Sequence, residues 1–480
     1  MSDFVPRFRE ALQQADYTYD AVAELLGPTA HQALSRNETT PALRRTAGGG
    51  PLETLVRLFL LQAPVPASEA ERALPGLVDR LCNAGLLEQS ISEVAARLDC
   101  RPYAEQDRDL WVVSDLTPGL DGSANKVGAD HVLGISSAST SLAQLTIREP
   151  VDRALDLGTG CGVQALHLAP HSREVVATDV NRRALWMTEV NAALNETGSR
   201  IRVREGSFFE PVAGEQFDLI STNPPFVISP ATGERLVYRD SGLPGDRVVE
   251  DIVRAAPGFL TDGGTAQVLA NWVIQSGIPW DERLATWLDG TCDALVVQRE
   301  LVDPATYVEL WLKDAGLHGA AGYGQRYDTW LSWFEEKAIE AVGFGWVNLR
   351  RGGTGRSEFL DWPYDVEQPI APALDAWFDH VGVAPDAVLV RRDDVQQESI
   401  GLPGEEHPEA VVLRQKAGLR RARTVDTVEA ALVGACDGDL TVIQILDAVA
   451  QLLELDPAET RATYLPAAQE LADQGFLVSP

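Results

Sequence analysis

A chain of 480 residues, 45% hydrophobic, is long enough for two or three domains, and its formal net charge of −31 sets an acidic surface against broad binding of bare nucleic acid. Five scattered cysteines (Cys82, Cys100, Cys161, Cys292, Cys436) form no CxxC pair, which counts against a disulfide framework or a zinc site, and no metal centre is expected. MSDFVPRFRE has charges where a signal peptide has an apolar run, and the most apolar stretch, LVRLFLLQAPV, is short and holds Arg57, so the chain reads as a soluble cytoplasmic protein.

Residues 1–105 read as a helical domain, with amphipathic segments broken at Pro and Gly in GPLETLVRLFLLQAPVPASEAERALPGLVDRLCNAGLLEQ. The region closes on LCNAGLL (81–87), and the C-terminal region closes on LADQGFL (471–477), both Leu-x-x-x-Gly-apolar-Leu. A helix that stops at glycine and enters a short strand is the pattern of a winged helix. Both ends are therefore expected to be winged-helix-like, docking nucleic acid or a partner, or packing as a helical cap. Neither expected recognition helix is rich in Arg or Lys.

Residues 106–350 alternate strand-like and helix-like runs. The strand-like runs are RALDLG, EVVATDV, IRVREG, FDLIST, GTAQVLANW, DALVVQREL and FGWVNLR. This alternation predicts an α/β fold with a doubly wound, mostly parallel, seven-stranded Rossmann-like sheet. Residues 351–480 form the C-terminal domain, whose helical stripe runs Val442, Ile445, Leu446, Val449, Leu452, Leu453 before a second helix capped at Asp456-Pro457.

Within the central region, RALDLGTGCGVQALHLA reads as strand, tight turn, helix, with Gly158, Gly160 and Gly162 letting the backbone turn and a ligand approach. Asp179 ends the next strand, 179 − 156 = 23 residues after Asp156, where an acid can accept hydrogen bonds from both ribose hydroxyls of an adenosine. A dinucleotide fingerprint needs a third glycine where Val163 stands, and Asp156 beside the turn suits a positive amino group better than a pyrophosphate. The pattern points to S-adenosylmethionine.

FDLISTNPPF runs from a buried-looking strand into two prolines, which fix φ and offer no N–H. Asn223 is thereby held at a strand end, where open α/β sheets bind ligands. An exocyclic amine or carboxamide nitrogen is planar, with a delocalised lone pair. Hydrogen bonds from its N–H groups to Asn223 Oδ1 and the Pro224 carbonyl localise that pair, and Phe226 can stack on the plane.

On these motifs the chain resembles the class I S-adenosylmethionine-dependent methyltransferases, over roughly residues 110 to 350. The resemblance implies that Asp156 faces the methionine part of the cofactor, that the backbone of Gly158, Thr159, Gly160 and Gly162 lines it, that Asp179 holds the ribose and that Asn181 sits beside the adenine. In REGSFFEP, family members often carry an acid for the adenine amino group; here Ser207 takes that place and Phe208 can pack on the ring. Asn223-Pro224-Pro225-Phe226 is similar to the motif of the amino-group N-methyltransferases acting on adenine N6, guanine N2 or a glutamine amide.

The substrate expected first is a purine exocyclic amine in RNA, with a protein glutamine amide of the release-factor type or a small-molecule amine as alternatives. RNA or a translation-related protein is the expected partner. Guanine-N2 enzymes continue the motif with His and Gly, not Val227-Ile228-Ser229, and glutamine enzymes usually have tyrosine for Phe226. The Gly-, Pro- and Ser-rich residues 227–247 are expected to form a substrate loop carrying Arg235, Tyr238 and Arg239. The one concentrated basic run, LRQKAGLRRARTV (413–425), is a second candidate contact, for phosphates.

Overall fold

The structure, a computed structural model, describes residues 4–105, 108–123, 128, 130–231, 242–317, 320–379, 382–402 and 409–480. It divides into two units, residues 1–143 with 148–362, and residues 144–147 with 363–480. Among the described residues no helix is long and apolar enough to cross a membrane.

The first unit opens with helices α1 (Val5–Gln14), α2 (Tyr19–Leu34), α3 (Thr40–Arg45) and α4 (Pro51–Leu55), the last running on through a π-helical turn at Val56–Leu60. Strand β1 (Val65–Pro66), helices α5 (Ala67–Ala73) and α6 (Val78–Asn83), and strands β2 (Leu87–Gln89) and β3 (Glu93–Ala96) follow, with sheet order β1-β3-β2. The arrangement is winged-helix-like. Gly85, at φ 78°, ends α6 and turns the chain into β2, as the LCNAGLL pattern predicts.

A hairpin of β4 (Leu98–Glu105) and β5 (Arg108–Asp115) comes next, so the domain limit expected at 105 falls at a hairpin turn. No break in the core occurs there. One apolar cluster joins Phe8, Leu12, Phe59 and Leu81 to Trp111, Leu166, Met187 and Leu194. Tyr17 ties the two parts further: its hydroxyl donates to the Cys100 carbonyl (2.8 Å), and its carbonyl accepts from Trp111 Nε1 (2.7 Å).

After α7 (Ser137–Leu145) the central sheet is built from β6 (Val151–Leu157), α8 (Val163–Leu168), β7 (Ser172–Asp179), α9 (Arg182–Leu194), β8 (Ile201–Glu205), β9 (Phe217–Thr222), α10 (Arg247–Ala255), β10 (Leu260–Gln275), α11 (Trp280–Ala285), β11 (Cys292–Val302), α12 (Pro304–Asp314), α13 (Tyr323–Glu336) and β12 (Ile339–Arg351). All seven expected strands are present. An eighth, β13 (Ser357–Asp361), lies past the expected limit at 350 and pairs parallel with β11. The order is β13-β11-β12-β10-β9-β6-β7-β8. Strands β8, β7, β6, β9 and β10 run parallel, and β12 is antiparallel to both its neighbours. Apart from the edge strand β8, their apolar runs are buried on both faces, the signature of a sheet covered by helices.

Helix α9 also supplies an edge for the hairpin. The Asn191 side chain accepts from Val113 N (2.7 Å) and donates to Val113 O (2.8 Å); Asn195, one turn on, does the same for Trp111 (2.9 and 2.8 Å). Two side-chain amides thus replace the missing neighbour strand of β5.

The second unit holds α14 (Ala371–Phe378), β14 (Val388–Arg391), β15 (Val395–Ile400), β16 (Ala410–Gln415), β17 (Ala422–Val425), α15 (Thr427–Ala435), β18 (Asp437–Thr441), α16 (Val442–Leu452), α17 (Pro457–Asp473) and β19 (Leu477–Val478). Its sheets are ordered β18-β14-β19 and β15-β16-β17, and the run from α15 to β19 is again winged-helix-like. Val442, Ile445, Leu446 and Val449 are buried, but Leu452 is 80% exposed and Leu453 37%, so the α16 stripe stops a turn earlier than expected.

Gly343 and Gly345 lie on one face of β12 beneath the buried Trp272 of β10, whose Nε1 donates to Gln298 Oε1 (3.1 Å). A Cβ on Gly345 would overlap the Val297 carbonyl and the Trp272 ring. Gly345→Ala is expected to destabilise the fold by about 3 kcal/mol, the upper range for overpacking, as a lowered urea midpoint with unchanged slope.

Candidate active site

The parallel strands place the site. Chain order reverses at β6, which has β7 on one side and β9 on the other, so a crevice opens at the C-terminal ends of these strands. In register, Leu157 stands opposite Thr178 of β7 and Thr222 of β9, so Asp156, Asp179 and Asn223 come from three adjacent strand ends. Thr222 Oγ1 donates to the Leu157 carbonyl (2.7 Å), tying the end of β9 to that of β6.

Asp156 is 1% exposed. Its Oδ2 accepts from Thr159 Oγ1 (2.6 Å) and from Ala165 N (2.9 Å) in the first turn of α8. Burial pushes its carboxyl up to about 7; the two hydrogen bonds oppose this and the nearby Asp179 adds to it. The turn is closed from below, where Gly158 N and Thr159 N both donate to the Thr178 carbonyl (2.9 and 2.8 Å). Gly162, at φ 85°, starts α8 and sits against Thr188, where an added Cβ would come within 2.9 Å of a methyl carbon.

At the end of β7, Asp179 accepts from Gly160 N (2.9 Å) and Asn181 N (2.8 Å), and burial raises its carboxyl above the ordinary value. Asn181 is the N-cap of α9: Oδ1 accepts from Arg183 N (2.9 Å) and Nδ2 donates to the Asp130 carbonyl (2.9 Å). Phe208, after β8, has φ 45°, rare for an aromatic residue, and is 37% exposed.

These groups line one cavity of about 330 Å³: Asp156, Gly158, Thr159, Gly160, Asp179, Asn181, Ser207, Phe208, and the whole tetrapeptide Asn223, Pro224, Pro225 and Phe226. Gly162 is not among the lining residues; its absent side chain serves packing on α9. Arg235, Tyr238 and Arg239 lie outside the described residues. The sequence reading missed the lining from His131 to Ser139, and Gln164, whose Nε2 donates to the Ser139 carbonyl (2.7 Å). It carries no motif, only a mix of apolar and small residues in VLGISSAS.

Residues 134–278 match the family described as Methyltransferase small domain, a span running from the lining segment before α7 through the tetrapeptide into β10. The central domain is a class I methyltransferase domain. The methyltransferase domain is similar to a ribosomal protein uL3 glutamine methyltransferase of Bradyrhizobium diazoefficiens, 35% identical over 125 residues, covering 24% of this chain and 39% of that protein. It is similar also to a release factor glutamine methyltransferase of Geobacter sulfurreducens, 35% identical over 126 residues, covering 24% of this chain and 43% of that protein. The chain thus spans about two fifths of the length of these curated relatives. A solved T. thermophilus 16S rRNA N2 G1207 methyltransferase, in complex with AdoMet and guanosine, overlaps 47% of this chain and 59% of its own at 17% identity, with a TM-score of 0.28. Residues 14–97 match a family described as a domain of unknown function.

The residues of the cavity fit S-adenosylmethionine, the cofactor expected from the glycine turn and its two acids. The cavity is in the size range of small-molecule sites. Nothing lies within 4 Å of an added Cβ at Gly158 or Gly160, so the turn is an open cradle. Two carboxylates stand at neighbouring strand ends.

A carboxyl whose folded pKa is raised holds a proton that the unfolded chain has lost, so its contribution to stability falls as pH rises from the ordinary carboxylate range to the folded value. The stability of the ligand-free protein relative to Asp156→Asn is expected to fall between about pH 4 and pH 7, by up to about 1.4 kcal/mol per unit, and to level off above. Denaturant melts across that window check this; a flat difference means the Asp156 carboxyl ionises as an ordinary one does.

Proposed function

We propose that this chain transfers a methyl group from S-adenosylmethionine to the side-chain amide nitrogen of a glutamine in a translation-related protein. The observation that carries the reading is the position of Asn223-Pro224-Pro225-Phe226, at the end of β9 in the wall of the cofactor cavity.

In this reading Asp156 faces the amino end of the methionine part and the Gly158–Gly160 backbone lines it. Asp179 accepts from the ribose hydroxyls, with its carboxylate already oriented by Gly160 N and Asn181 N. Ser207 and the ring of Phe208 border the adenine, and Asn181 acts through its cap and its bond to the strap at Asp130. Bound there, the cofactor supplies an electrophilic methyl on a sulfonium. Asn223 Oδ1 and the Pro224 carbonyl accept the two N–H groups of the acceptor amide, turning its lone pair out of conjugation. Pro225 fixes the chain between them and Phe226, which stacks on the amide plane. The nitrogen loses its proton after attack, so no base is needed first, and the acceleration comes from positioning and fixed dipoles.

The glutamine amide is favoured over the purine first expected. Both quoted relatives are named as glutamine methyltransferases. Two of the five basic residues in the run that could have met phosphates are paired with acids: Arg414 with Glu398 (2.9 Å), and Arg423 with Glu429 (2.7 Å) and Glu470 (2.9 Å). In the winged helices, α6 carries Asp79 beside Arg80, and on α17 Arg461 pairs with Asp447 against Glu459, Glu470 and Asp473. A net charge of −31 over the whole chain repels a phosphate backbone and favours a basic protein.

Asn223→Ala is expected to lower methyl transfer on the order of a hundredfold or more while the Kd for S-adenosylmethionine stays within about threefold. With labelled cofactor and cell extract, the label should fall in protease-sensitive, RNase-resistant material. Label released by RNase returns the purine reading, and transfer that survives in Asn223→Ala removes the assigned mechanism.

A further inference from the structure

The connection from β11 to β12 is a pair of helices, α12 and α13, unusually rich in aromatic residues: Tyr307, Trp311, Tyr323, Tyr327, Trp330, Trp333 and Phe334. None of them lines the cofactor cavity, yet α12 reaches the acceptor tetrapeptide from its other side. The rings of Trp311 and Phe226 meet in a T-shaped contact, centroids 6.4 Å apart and planes at 69°. The hydroxyl of Tyr307 accepts the backbone N–H of Ile228 (2.9 Å), two residues past Phe226, in a fully buried setting. Tyr307 is itself wedged among Trp311, Phe334 and Phe344, at 6.0, 6.1 and 5.8 Å. Val227 and Ile228 are 1% and 0% exposed and belong to the same apolar cluster.

This contact answers a mechanical problem in the tetrapeptide. Pro224 and Pro225 have no N–H, so the chain leaving β9 gives up two ladder donors where its geometry matters most. Something outside the segment must fix the direction in which Phe226 is presented. The bond from Ile228 N to the Tyr307 hydroxyl does this two residues past Phe226.

We propose that Tyr307 is a positioning residue for the methyl acceptor: its hydroxyl pins the main chain behind Phe226, and Trp311, one turn further along α12, holds the Phe226 ring edge so that its face stays turned to a planar group. The slot between this ring and the acceptors on Asn223 and Pro224 then admits a flat carboxamide and disfavours a tetrahedral amine. The inference rests on the acceptor assignment made above for what it selects, but not for the contact itself.

The test keeps those two apart. With 4-fluorophenylalanine placed at position 226 of the full chain, the ¹⁹F spectrum reports the ring without any acceptor. The expected result is one narrow resonance in the parent protein and a shifted, broadened or split one in Tyr307→Phe. Binding of S-adenosylmethionine by calorimetry should stay within about twofold, and kcat for the labelled protein should fall on the order of tenfold. Trp311→Leu, read the same way, serves if Tyr307→Phe does not fold. A 226 resonance unchanged in both variants overturns the proposal, as does a loss of kcat matched by an equal loss of cofactor affinity. Perturbed ¹⁹F spectra together with label found in RNA would leave the positioning role standing and remove the amide as acceptor.

Discussion

The site depends on one buried carboxylate. Taking a carboxyl group out of water at the end of β6 is costly unless it is hydrogen-bonded, and Asp156 is bonded to the two groups that define the turn above it, the Thr159 hydroxyl and the first-turn N–H of Ala165. That pair of bonds sets where α8 begins relative to β6, and hence where the chain must reverse through three residues of positive φ. The same turn presents Gly160 N to Asp179, so the second carboxylate is oriented by the loop that the first one holds. The turn is further held to α9 by Thr188 Oγ1 on the Gly160 carbonyl (3.0 Å) and Asn191 Nδ2 on the Cys161 carbonyl (2.7 Å).

Much of this arrangement is local in sequence and was legible there. The seven strands announce themselves as short apolar runs between helix-like segments. Asp156, the glycines and Asp179 sit at spacings that a strand-turn-helix-strand unit imposes. The tetrapeptide is legible because two prolines after a buried strand leave the backbone little choice. Asn181 was read as a cofactor neighbour, and its cap role lay in the two residues that follow it.

What was not legible needed three dimensions. The β4–β5 hairpin has Pro102 and interleaved charges in LDCRPYAE, and its outer edge is paired with side chains of a helix about 80 residues away. Strand β13 is a five-residue run after a glycine-rich turn, and only its parallel partner β11 makes it a strand. The spacing of Gly343 and Gly345 has a reason only once Trp272 is seen across the sheet. Likewise Arg414 and Arg423 in the basic run at 413–425 look free until Glu398, Glu429 and Glu470 are brought beside them. Trp311 is one of eight tryptophans from Trp272 to Trp362, of which the sequence can say only that most are core and one or two wall the cleft, and it and Tyr307 lie 85 and 81 residues beyond Phe226 (311 − 226 and 307 − 226).

The shared apolar cluster of the N-terminal winged helix has a kinetic consequence. Phe8, Leu12 and Phe59 are completed by Met187 and Leu194, so contacts that bury the first sixty residues are made with residues synthesised long afterwards. On the ribosome at about 5–20 residues per second, the winged helix waits several seconds for α9 to emerge before its inner face is covered. Such distant pairings must meet their loop-closure cost before any contact is made and so slow folding. The N-terminal region thus leaves the ribosome with an uncovered apolar face and ends as one wall of the methyltransferase core.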